Sequence, residues 1–77
     1  MGSIEKVREM LPWTITIEKA DGRVIVFRIR GKLLPIRFAK NVKNLPASHI
    51  IKILLLELSR TPIIYVSREE LKEIKQS

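Results

Sequence analysis

Residues 14–38 read TITIEKADGRVIVFRIRGKLLPIRF, and this stretch decides the fold. Apolar and polar residues alternate through it, which is the period of half-buried strands. A first strand is predicted over residues 13–19, with Trp13, Ile15 and Ile17 on one side and Thr14, Thr16 and Glu18 on the other. Asp21-Gly22 then signals a two-residue hairpin, because both central positions favour positive φ. In residues 23–30, Ile25, Phe27 and Ile29 share one face, while Val24, Val26, Arg28 and Arg30 share the other. Gly31-Lys32 predicts a second tight turn with Gly leading. The third strand is expected over residues 33–40, with Leu34, Ile36 and Phe38 facing in. Pro35 has no N–H for a ladder, so this strand belongs at an edge or carries a bulge. The inward faces make one apolar sheet surface, and the outward face carries Thr14, Thr16, Arg28, Arg30 and Arg37.

The flanks of this meander read as helices. Upstream, Ser3 is placed to cap a short helix with Ile4, Val7 and Leu11 on one face, and Pro12 ends it. Downstream, residues 41–46 are a polar connection ending in Pro46. Residues 47–59 follow as a helix whose stripe of Ile50, Ile51, Leu54, Leu55 and Leu58 is wide enough to cover the sheet. Ile53 and Leu56 fall on its polar side, where they are either covered by the following segment or form a partner contact. After Thr61-Pro62, residues 63–66 predict a short strand. Ser67 and Glu70 have the spacing of a capping box, opening a last helix with Leu71 and Ile74 on one side. The predicted fold is therefore α+β: a three-stranded antiparallel meander with helices packed on one face, in the order α-β-β-β-α-β-α.

Composition narrows the function. The 77 residues leave room for one small basic domain, residues 1–77, and none for a separate catalytic one. Cysteine is absent, which removes disulfides, thiolate metal sites and cysteine nucleophiles. One His and one Asp leave a hydrolase or metal centre without its usual parts, so neither enzymatic activity nor a cofactor or metal is expected. His49 has no acid near it in sequence, and Glu69, Glu70 and Glu73 suit the positive end of a helix. Glycines at 2, 22 and 31 make no phosphate loop. Lys52 and Glu57 interrupt the longest apolar run, and the first residues carry no signal-peptide pattern, so a cytoplasmic protein with no membrane partner is expected. Twelve Ile against one Gln and two Asn read as a heat-adapted, thermophile composition.

The charge is not spread evenly. Residues 22–56 contain eight bases (Arg23, Arg28, Arg30, Lys32, Arg37, Lys40, Lys43 and Lys52) and no acid. The flanking segments are near neutral, so the net +7 lies in the middle of the chain. A block of one sign points to an anionic partner. Arginine forks on one sheet face suit phosphate oxygens. Trp13 and Phe27 are expected to point inward and Tyr65 is distant, so base stacking is not expected and recognition should rest on shape and phosphates. The predicted site is thus Arg23, Arg28, Arg30, Lys32, Arg37, Lys40, Lys43 and Lys52 for nucleic acid, RNA favoured over DNA. No small-molecule substrate is expected.

Two resemblances add to this reading. IEKVREML followed by TITIEKADGRVIVFRIRGKLLPIRF and a helix resembles the small archaeal–eukaryotic large-subunit ribosomal proteins of the kind numbered thirty-eight, over roughly residues 4–58. That resemblance implies a ribosomal protein whose Arg28, Arg30, Lys32 and Arg37 touch ribosomal RNA, with ribosomal or other proteins as further partners. LPASHIIKILLLELSRTPIIYVSREELKEI, residues 45–74, is similar to the opening of a winged-helix domain of the response-regulator type. It implies a DNA-binding or chromatin-type alternative. In that family a recognition helix and wing come next, and no counterpart is expected within these 77 residues. A third alternative is a protein-interaction subunit using Ile53 and Leu56.

Overall fold

The computed structural model describes residues 3–60 and Ile74. Helix α1 (Ser3–Met10) leads into strands β1 (Ile15–Asp21), β2 (Val24–Ile29) and β3 (Lys32–Arg37). A single 3-10 turn (Val42–Asn44) and helix α2 (Ala47–Arg60) follow. The strands form one antiparallel sheet in the order β1-β2-β3, the meander of an α+β domain. The strand expected at 63–66, Leu71 and the acids at 69, 70 and 73 lie outside the described residues. Ile74 is helical and buried.

Register places the side chains in rows across the sheet. On the inner face the rows are Ile15–Ile29–Lys32, Ile17–Phe27–Leu34 and Ala20–Ile25–Ile36. Period-two alternation puts these residues on one side, and Ile25, Phe27 and Ile29 are fully buried there. Helix α2 supplies Ile50, Ile51, Leu54 and Leu58 to the same core, and α1 supplies Val7. Spacings of one, three and four along α2 keep its four residues on one stripe. Arg8 ties α1 to the sheet, its Nη1 donating to the carbonyl of Ile17 at 3.3 Å. The connection before α2 is less polar than its sequence suggests. Its Val42 and Leu45 are buried, and the backbone N–H of Val42 donates to the Gly22 carbonyl at 2.8 Å.

Both hairpin turns sit one residue from their predicted positions. Asp21 stays in the ladder opposite Val24, so the first turn is Gly22-Arg23 rather than Asp21-Gly22. Ile29 pairs with Lys32, so the second is Arg30-Gly31 rather than Gly31-Lys32. There φ is +51° at Arg30 and +84° at Gly31, the pattern of a type I′ turn, which matches the twist of the flanking strands. Arg30 is therefore a turn residue and not part of the β2 face. β1 also departs from regularity, with a bulge between Ile17 and Lys19 that leaves Glu18 outside the pairing. Among the described residues β3 is an edge strand, one of the two placements that Pro35 allows.

The largest correction concerns Trp13. It was expected inside with Ile15 and Ile17, yet it is 90% exposed. The strand starts only at Ile15, and the N–H of Ile15 donates to the Pro12 carbonyl at 3.0 Å. That bond closes a turn over Trp13 and Thr14, and alternation does not extend through a turn. Pro12 is buried instead, and the indole swings out.

Candidate nucleic-acid interface

The outer face of the sheet has its own rows: Thr16–Arg28–Leu33, Lys19–Val26–Pro35 and Asp21–Val24–Arg37. Arg28 and Arg37 therefore stand at opposite ends. Val24, the partner of Arg37, is four residues from Arg28 along β2, which at the rise of a strand is about 13 Å. The predicted basic surface divides into two groups. Arg28, Arg30 and Lys32 gather at the β2–β3 turn. Arg23, Arg37, Lys40 and Lys43 gather at the other end, where Phe38 N–H donates to the Arg23 carbonyl at 2.7 Å. Lys52 lies on the solvent side of α2, separated from the sheet's outer face by the core. All eight side chains are exposed.

Arg28 is the most constrained of these. Its Nε donates to Glu18, the residue that the bulge sets outside the ladder. Its Nη1 reaches the Gly31 carbonyl at 3.5 Å. One carboxylate of the fold thus competes for this guanidinium. The pair is partly exposed, so water weakens it and a phosphate can replace the carboxylate.

Trp13 changes what this end of the sheet can do. With Thr14, Thr16, Arg28, Arg30 and Gly31 it lines an open groove of about 460 Å³. Burying an indole removes roughly 150–250 Å² from water, worth about 4–6 kcal/mol, and this fold forgoes most of it. Leu33, 55% exposed, stands beside Arg28 on the side away from Thr16. Two apolar surfaces therefore flank the arginine. The sequence mark nearest the exposed indole is Pro12, since proline past a helix end punctuates the chain and favours a turn or loop there.

The apolar residues on the polar side of α2 differ. Ile53 is half-buried and packs against the core, whereas Leu56 is 48% exposed. His49 is exposed at the start of the helix. Among the described residues no three His, Cys, Asp or Glu side chains come together as a metal site would need. No helix among them is long and apolar enough to cross a membrane.

In comparisons with protein-family models, curated proteins and solved structures, no match to this chain was found.

Proposed function

We propose that this chain is a non-enzymatic nucleic-acid-binding protein that holds phosphates through the basic residues of its sheet and adjoining loops. RNA is the favoured ligand, in a cytoplasmic and ribosome-associated setting. One observation carries the reading: eight bases fall in an acid-free stretch, and all eight are exposed. Exposed bases of one sign raise the local concentration of polyanion and gain by releasing its counterions. The division of seven of them between two ends of the sheet supports contact with an extended backbone, since a single phosphate does not span about 13 Å.

The test is binding to a structured RNA at two salt concentrations. Affinity is expected to fall by roughly a decade or more between about 50 and 200 mM salt. The double reversal Arg28→Glu, Arg30→Glu is expected to abolish binding while the far-UV circular dichroism stays native. Unchanged affinity in that variant would discredit the basic surface. Competition with duplex DNA separates the two nucleic acids, and co-sedimentation with ribosomal particles tests the setting.

A further inference from the structure

We infer that the groove beside Trp13 receives an unpaired base of single-stranded RNA, stacked on the indole, with Arg28 and Arg30 taking the adjoining phosphates. The inference rests on the nucleic-acid reading above and deepens it from backbone contact to a class of ligand. Three observations point the same way. The indole is 90% exposed, although burial would have strengthened a small fold. The groove it lines, about 460 Å³, is also lined by Arg28 and Arg30. Arg30 occupies a turn position with φ of +51°, where Gly or Asn is the easier choice.

The chemistry of these walls selects the ligand. Within a duplex, base faces are already stacked on each other and offer no surface to an indole. A single strand, loop or bulge presents them, and an aromatic ring accepts any base because every base has a π-face. Guanidinium groups lining the same groove suit the phosphates next to the stacked base. Hydroxyl groups of Thr14 and Thr16 line the same groove, and they are donors and acceptors of the kind that engage a ribose 2′-OH. That favours RNA over single-stranded DNA.

Trp13 is the sole tryptophan of the chain, so its emission reports this groove directly. The experiment titrates the full chain with a single-stranded RNA of about 12 nucleotides, the same sequence as DNA, and a blunt RNA duplex. The single-stranded RNA is expected to quench the indole saturably, and the duplex to leave it unchanged. Trp13→Ala is expected to weaken binding of the single strand roughly 5- to 150-fold, the range of one stacking contact. Trp13→Phe should retain most of the affinity. Because Trp13→Ala removes no cation, its salt dependence should match that of the parent chain, unlike the arginine double reversal. Circular dichroism of both variants should be native, since the side chain packs on little. If Trp13→Ala binds the single strand as tightly as the parent, or the duplex quenches equally, stacking is overturned while the phosphate reading survives. Equal quenching by the DNA overturns the ribose assignment. Failure of every nucleic acid to bind at low salt removes the underlying reading as well.

Discussion

Glu18 is the residue on which the strength of the proposed interface turns. The β-bulge sets it outside the pairing and leaves it beside Arg28. It is then a built-in competitor for any phosphate that Arg28 receives. Removing its charge while keeping its shape should release the guanidinium. Glu18→Gln is therefore expected to raise RNA affinity a few-fold at low salt, with the gain shrinking as salt screens it. Fluorescence anisotropy of a labelled RNA checks this, and a loss of affinity would mean that the carboxylate positions Arg28 instead of opposing phosphate. The carboxylate was visible in the sequence, but its target was not. Alternation puts Glu18 on the outer face with Thr16 and Arg28, but which residue it meets there depends on the register and the bulge, which the pattern does not carry.

At the scale of elements, β2, β3 and α2 were legible from their periodicity alone. Ile25, Phe27, Ile29, Ile36, Phe38, Ile50, Ile51, Leu54 and Leu58 are all buried as the apolar pattern requires. The misreadings cluster where one element gives way to the next. Trp13 continues the alternation of β1 on paper, but a turn closed by Pro12 and Ile15 interrupts it. Both hairpin turns moved by one residue because Gly and Asp mark a turn's neighbourhood more firmly than its centre. The second turn carries a consequence for stability. Arg30 adopts a left-handed backbone that an L side chain resists, so Arg30→Gly is expected to stabilise the fold by up to about 1 kcal/mol. Urea unfolding followed by circular dichroism measures it. The same variant should bind RNA more weakly, which sets stability against function at one position.

On the scale of the whole molecule, the sheet divides the chain into two sides of different chemistry. Among the described residues, the core with α1 and α2 lies on one, and the other carries the exposed outer rows. The bases fall in the middle of the chain, but seven of the eight sit at two ends of a sheet and Lys52 sits on α2. That separation depends on strand register, which composition does not carry. The exposed indole was likewise beyond composition, and it shifts the expected ligand from a shape to an unpaired base.

Pro35 bears on how copies of this protein meet. The bond from Phe38 N–H to Arg23 fixes the alternation of paired and unpaired residues back along β3. Val26 and Pro35 fall on a pair that exchanges no hydrogen bonds, so the missing N–H is on the outer rim. Lys32 and Arg37 flank it with like charge. A second molecule trying to extend the layer would find a gap among its donors and repulsion on either side. Pro35→Thr restores a donor there, and at high concentration that variant should gain thioflavin-positive fibrils while the parent stays clear.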